Sequence, residues 1–268
     1  MTSTPSWCIR AAMVSDCKTR IGAAFGAAAP RYEGDAGVHR HVATRLLDFA
    51  TGGTDTGAHD PATVLEIGCG TGLLTRLIAQ RWPNAALTAT DIAPGMIAAM
   101  REAGSPARLL VMDGERPDLG TQRFDLILSS LAFQWFEDLP AALARLHRLL
   151  APGGSLCFAT MGAESFSDWR AAHAREGLVC GLRDYPSRDE VAAMAQALGQ
   201  CDLAEELVPL HTPGGLALAR HFHAIGARVP QPGYRRLAPT SLRRVMARFD
   251  ADGGASNYHI IYGRLLHD

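Results

Sequence analysis

The sequence predicts an α/β fold, a doubly wound and mostly parallel sheet of seven strands with helical insertions late in the chain. Three observations predict it. Five short β-type segments alternate with helical segments between Thr63 and Met161. In such a series each crossover helix packs back onto the sheet, which makes neighbouring strands parallel. Segments such as "VLEI" and "DLILSS" are apolar on both faces, as buried parallel strands require. The first strand also enters a glycine turn, "GCGTG", that opens into a helix.

The elements follow in order. The stretch from Arg31 to Phe49 puts Val38, Val42, Leu46 and Leu47 at helical spacing, and "TGGTDTGAHDPA" reads as an exposed loop. "TVLEI" is a strand, and "LLTRLIAQRW" a helix stopped by Pro83. "ALTATDI" is a strand, and "PGMIAAMREAG" a helix with proline in its first turn and a glycine stop. "ARLLVMD" and "FDLILSS" are the next strands. "PAALARLHRLLAPGG" is a helix ended by Pro152 and two glycines, and "SLCFATM" is a fifth strand. The pattern then loosens. Residues Ser165 to Gly199 read as two helices broken around "GLRDYPSRDE", and "LAEELVPL" as a sixth strand. "GLALARHFHAIGA" and "TSLRRVMARF" are helices, and "NYHIIYGRLL" closes the sheet. The expected organisation is a tail over 1–30 and one domain over 31–268, with helical acceptor-side insertions at about 165–200 and 215–250.

Composition narrows the function. Of 268 residues, 47% are apolar and 20% charged, enough for a sizeable core. A net charge of −1 argues against nucleic-acid binding through bulk charge. No apolar run approaches the ~20 residues that span a bilayer, and the first residues lack the apolar core of a secretory signal, so a cytoplasmic chain is expected. The cysteines Cys8, Cys17, Cys69, Cys157, Cys180 and Cys201 contain no CxxC pair. Neither a metal site nor a disulfide framework is expected from them, and buried reduced thiols are. Lys18 is the only lysine.

The glycine turn selects the ligand. Gly68, Gly70 and Gly72 are spaced GxGxG, whereas a dinucleotide fingerprint needs G-x-G-x-x-G. The third position is Leu73 counted from the first two glycines and Thr75 counted from the last two, so that fingerprint fails. S-adenosylmethionine brings no phosphate and needs backbone close to its amino-acid end, which residues without side chains allow. Asp91 ends the second strand, where a carboxylate can accept from a pair of ribose hydroxyls; alone, it would equally suit a helix cap. Asp113 ends the third strand, placed to accept from the adenine amino group. Ligands of open α/β sheets sit outside the carboxyl ends of the strands, where all these positions fall.

"EIGCGTG" with "TDIAPGM" resembles the class I methyltransferases, whose Rossmann-like sheet binds S-adenosylmethionine. The resemblance covers about Pro61 to Met161 and brings Glu66, Ile92, Met96, Gly114, Ser130 and Leu131 to the cofactor alongside the glycines and the two aspartates. After the fourth strand, "LSSLAFQWFEDLP" lacks the Pro-Pro-aromatic sequence common where a base nitrogen is methylated.

A second resemblance covers the chain from about Arg20 onward. "AAFGAAAPRYEGDAGVHRHVATRLL", "LSSLAFQWFEDLPAALARLHRLLAPGG", "FATMGAESFSDWR", "HAIGA" and "NYHIIYG" follow in the order that is similar to the malonyl-acyl-carrier-protein O-methyltransferases of biotin synthesis, the BioC family. That resemblance implies methyl transfer to the free carboxylate of a malonyl thioester. Such a carboxylate is ionised at neutral pH, so no general base is expected, only positioning and exclusion of water. The positioning residues it implies are Tyr32, Gln134, Trp135 and Arg170, with Tyr185 and His223 also on the acceptor side. An aromatic wedge for Tyr32, plain core for Trp135 and an exposed helix arginine for Arg170 are the alternatives. The chain departs from the family at Arg183, Asp184, Tyr185 and Pro186, where an Arg-Phe pair is common, and at His223, where lysine or arginine is. The implied partner is an acidic acyl-carrier protein or a small thioester, with no nucleic acid and no membrane. Arg220, Arg228, Arg235, Arg236, Arg243, Arg244 and Arg248 either steer that partner or solvate two helices. The rival expectations are a methyltransferase for another carboxylate or a quinone, and an assembly factor of the same fold, arginine-modifying or without catalysis.

Overall fold

The structure, a computed structural model, describes residues 17–27, 37–52, 60–225, 229–231 and 233–267. A helix over 17–27 (α1) and a second at Gly37–Ala50 (α2) precede the sheet. The wound part runs β1 (Thr63–Ile67), α3 (Leu73–Arg81), β2 (Ala86–Asp91), α4 (Pro94–Glu102), β3 (Arg108–Val111) and β4 (Phe124–Ser130). A 3-10 turn at Phe133–Trp135 leads to α5 (Leu139–His147) and β5 (Leu150–Met161). Then come α6 (Ser167–Arg175), α7 (Arg188–Gln196), β6 (Cys201–Leu210), α8 (Gly215–Ala224), α9 (Pro239–Ala251) and β7 (Ser256–Leu266).

The seven strands form one sheet in the order β3-β2-β1-β4-β5-β7-β6. β1 to β5 are parallel, and β7 runs antiparallel to both β5 and β6. Successive strand residues go to opposite cores, as a two-residue period demands. Val64, Leu126, Leu128, Cys157 and Ile260 join the side covered by α2, α3, α6, α8 and α9. Leu65, Ile127, Leu156, Phe158 and Ile261 join the side covered by α5 and α7. The winding reverses between β1 and β4, so a crevice opens at their carboxyl ends.

Three expectations differ from what is observed. Residues 17–27, within the expected tail, are helical because they have a surface to dock on. Gly22 meets the Ile92 carbonyl, and a Cβ on Gly95 would come within 3.0 Å of the Gly26 Cα, so α1 lies almost backbone to backbone on the start of α4. The fifth helix stops at His147, and "LAPGG" belongs to β5. Leu150 pairs with Phe124 and Ser155 with Leu126, so the residues between them bulge. Gly154 suits that bulge, since a Cβ there would lie 2.9 Å from the Phe124 carbonyl oxygen. Of the cysteines, Cys69 and Cys157 are buried, while Cys17, Cys180 and Cys201 are partly exposed; these five are free thiols.

Candidate active site

The crevice is built first by the turn after β1. Gly68, Gly70 and Gly72 have φ of +73°, +54° and +91°, a region that disfavours side chains. A Cβ on Gly68 would approach the Ala132 Cβ to 2.4 Å, so the β1 and β4 turns touch only because that residue is glycine. A Cβ on Gly70 would meet no atom within 4 Å, because that face of the turn is open to the crevice. Gly72 does not border the crevice; it begins α3, with a Cβ position 3.2 Å from the Met100 Cε.

Two carboxylates stand at this turn and two more meet Lys18 of α1, each held differently. Glu66 is buried and accepts from the Thr75 hydroxyl at 2.5 Å. Burial, reinforced by the charge of Asp91, overcomes that hydrogen bond and pushes the Glu66 pKa up to about 7. Asp91 accepts from the Gly70 N–H at 2.9 Å and the Ala93 N–H at 2.8 Å, so it both pins the turn and starts α4. Burial raises its pKa against those two bonds. Asp113 accepts from the Glu115 N–H at 3.0 Å and from Lys18 Nζ at 2.5 Å. Glu115 pairs with the same Lys18 at 2.7 Å and accepts from the N–H groups of Glu137 and Asp138. Burial works against the Glu115 charge, but Lys18 and those N–H donors outweigh it and hold its pKa below the usual range.

The resulting cleft measures about 710 Å³ with its open mouth included. Gly68, Gly70, Asp91, Ile92, Met96, Asp113, Gly114, Ser130 and Leu131 line it, as does Trp135. Glu66 borders an adjoining recess with Gly68, Gly70 and Ser130. The structure therefore brings together every cofactor residue expected from the sequence except Gly72. Helix α1 roofs the cleft with Lys18, Ile21 and Phe25, none of which sequence reasoning selected. The phenylalanine ring meets Trp135 edge-on at 5.2 Å. The one usable signal was that Lys18 is the sole lysine in an arginine-rich chain. Glu115 was missed as well, although it stands two residues past Asp113 in "DGE".

The acceptor side is organised by the turn after β4. Leu131 has φ +53°, an uncommon state for a non-glycine residue. Its N–H donates to the Ala159 carbonyl, and its carbonyl accepts from Gln134 Nε2 at 2.6 Å. Gln134 thus clasps the turn, and its buried Oε1 has no hydrogen-bond partner among the described residues. Arg170 does not line the cleft. Its Nη2 donates to the Arg183 carbonyl at 2.5 Å and its Nε to the Ser165 carbonyl at 3.4 Å, and the guanidinium lies 5.4 Å from the Tyr185 ring. Tyr185 packs against the core and His223 is exposed on α8, so neither reaches the cleft lining. Tyr32 lies outside the described residues, as does Arg228. Arg244 and Arg248 pair with Glu176 and so join α9 to the end of α6, while Arg243 donates to the Pro239 carbonyl within α9.

Residues 65–158 match the family model described as a methyltransferase domain. The chain is 42% identical over 245 residues to the biotin biosynthesis bifunctional protein BioCD of Bordetella avium, covering 91% of this chain and 51% of that one. It therefore spans about half the length of that relative. It is 35% identical over 254 residues to the malonyl-acyl-carrier-protein O-methyltransferase of Magnetococcus marinus, covering 91% of each. Among solved structures, the plantazolicin methyltransferase BpumL in complex with a substrate analogue and S-adenosylhomocysteine shares the fold, with TM-score 0.54 at 12% identity over 96% of this chain and 98% of that one.

Proposed function

The chain belongs to the malonyl-acyl-carrier-protein O-methyltransferase family, and on that premise we propose that it methylates the free carboxylate of a malonyl thioester carried on acyl-carrier protein, for biotin synthesis. S-adenosylmethionine, when bound, supplies a methyl group on a sulfonium that departs as a neutral thioether. The residues present fit it. The side-chain-free faces of Gly68 and Gly70 leave room for its amino-acid end. Asp91 keeps a second lone pair on each oxygen for ribose hydroxyls, and Asp113 stands further along the same wall.

The chain's task is then positioning. A malonyl carboxylate is already ionised and needs no base. Ile21, Phe25, Ile67, Met96, Met112 and Phe136 give the cleft apolar walls that exclude water from the reacting centre. With S-adenosylmethionine bound, its methyl would pass directly to the carboxylate oxygen as the thioether leaves, so the cleft residues would hold no proton for the transfer. The observation that carries this reading is the cleft at the β1/β4 reversal, with the glycine turn, Asp91 and Asp113 on its rim, in a chain of this family.

The test is a mass-resolved transfer assay offering malonyl-acyl-carrier protein, malonyl-coenzyme A and free malonate. One methyl gained on a thioester, and none when acetyl replaces malonyl, is the expected result. Transfer to none of the three by protein that binds S-adenosylmethionine would overturn the assignment. No helix of the described residues is long and apolar enough to cross a membrane.

A further inference from the structure

We propose that Arg183 reads the acceptor's carboxylate and that Arg170 acts through it as a positioning residue, an inference that rests on the malonyl-thioester reading. An anionic acceptor needs a cation near the mouth of the cleft, and the cations there differ in what already occupies them. Lys18 is bound to Asp113 and Glu115 at 2.5 and 2.7 Å, and its side chain is only 12% exposed, so its charge is spent. Arg170 is spent too, on two backbone carbonyls and the Tyr185 ring. Its one acidic neighbour, Asp184 at 3.6 Å, is 92% exposed and contributes little.

Arg183 remains. Its guanidinium carbon lies 5.9 Å from the centre of the Trp135 ring, and Trp135 lines the cleft. Its Nη1 has Cys17 Sγ at 3.9 Å, a weak acceptor. Among the described residues no carboxylate lies within 4 Å of it; Glu137 feels its charge from further away. A half-buried guanidinium held on an aromatic face, with no acid of its own, presents a planar fork suited to a carboxylate.

The backbone around it is fixed from both sides. Arg170 Nη2 holds the Arg183 carbonyl at 2.5 Å. Gln231 donates its N–H to the Gly181 carbonyl at 3.1 Å and its side-chain amide to the Cys180 carbonyl at 2.8 Å. The Tyr234 ring then closes over Gly181, where a Cβ would come within 2.9 Å of the Tyr234 Cζ. The fork therefore arrives preorganised, which is what binding at low entropic cost requires.

One carboxylate oxygen accepts from Arg183 while the other is left to attack. Methylation removes the charge that the fork recognised. Arg183 would thus favour substrate over ester product and help the product leave.

The test uses the full chain with malonyl-acyl-carrier protein and compares wild type with R183Q, R183K, R170Q and the R183Q/R170Q double variant. R183Q is expected to raise KM for the acceptor by about 10- to 100-fold, as loss of a charge-assisted bond implies, and to leave S-adenosylmethionine binding by calorimetry near wild type. It should also abolish the preference for malonyl thioester over its methyl ester, measured as competing ligands with S-adenosylhomocysteine bound. R170Q should raise KM in the wild-type background and add little in the R183Q background, a non-additivity that a merely structural role would not produce. If R183Q fails to fold, R183K decides: a raised KM with intact cofactor binding supports the assignment, and a wild-type KM overturns it. An R183Q enzyme with wild-type KM overturns this inference and leaves the function standing. A wild-type enzyme that methylates no malonyl thioester overturns both.

Discussion

Lys18 Nζ sits 2.5 Å from the Asp113 carboxylate, joining helix α1 to the segment after β3 across the cleft. The same ammonium reaches Glu115 at 2.7 Å, so one lysine ties α1 to two buried or half-buried acids and forms part of the cleft wall. This ion pair is a polar fastening of the roof, beside the close approach of Gly22 and Gly26 to α4 and the contact of Phe25 with Trp135.

Replacing that lysine tests the fastening. K18M leaves the buried Glu115 charge without its counter-ion, a change expected to cost about 3 kcal/mol of stability. Urea denaturation would measure it. S-adenosylmethionine should also leave faster, because the roof over it loosens, and stopped-flow displacement would show an off-rate raised several-fold. An unchanged off-rate would mean that α1 does not close the cleft.

Glu66 makes a pH prediction. Its pKa in the fold is about 7, against 4.5 ordinarily, because burial disfavours the charge. The unfolded chain releases this proton at lower pH than the folded one. The contribution of Glu66 to stability therefore falls as pH rises from about 4.5 to about 7 and is level above that. E66Q, fixed in the neutral form, should escape the loss and gain up to about 3 kcal/mol on wild type between pH 5 and pH 8. Equal pH dependence of the two proteins in urea titrations would show that Glu66 titrates normally.

The two cleft glycines should separate folding from binding. G68A drives a methyl into Ala132 at a φ of +73° and is expected to destabilise the fold by several kcal/mol. G70A meets no protein atom, so its cost is the left-handed backbone alone, about 1–2 kcal/mol. Its methyl instead enters the space assigned to the cofactor. Calorimetry should find S-adenosylmethionine binding lost in folded G70A; retained affinity would place the cofactor elsewhere.

Asp91 carries two duties, and its variants should expose both. D91N keeps one carbonyl acceptor for the Gly70 and Ala93 N–H groups, whereas D91A leaves both N–H groups unpaired. Cofactor affinity should drop by tenfold or more in each. Thermal stability should fall in both, and further in D91A, because the side-chain amide of D91N can accept only one of the two N–H bonds. A D91N protein with wild-type affinity would remove Asp91 from the ribose site.

The features legible in the sequence are those written in short segments. The β1–turn–α3 unit, Asp91 at the last position of β2 and the proline opening α4 each depend on neighbours a few residues away, where hydrophobic period and φ preference act directly. The succession of seven strands along the chain followed from the same local signals, whereas their order within the sheet is a tertiary property. The family resemblance placed Arg170 on the acceptor side, whereas the structure turns its guanidinium to the Ser165 and Arg183 carbonyls and away from the cleft lining. Arg170 and Arg183 look alike in sequence, and only the packing of α6 turns the first toward backbone carbonyls and leaves the second over Trp135.

The sequence by itself determined the fold class, the glycine turn and the carboxylate ending β2, because these are sums of local preferences along strands and turns. The tertiary structure alone decided the roof. Lys18 and Asp113 are separated by 95 positions, and no periodicity or propensity links residues so far apart. Their pairing exists because Gly22, Gly26 and Gly95 let two helices approach at backbone distance and bring the chain's only lysine onto a pair of acids.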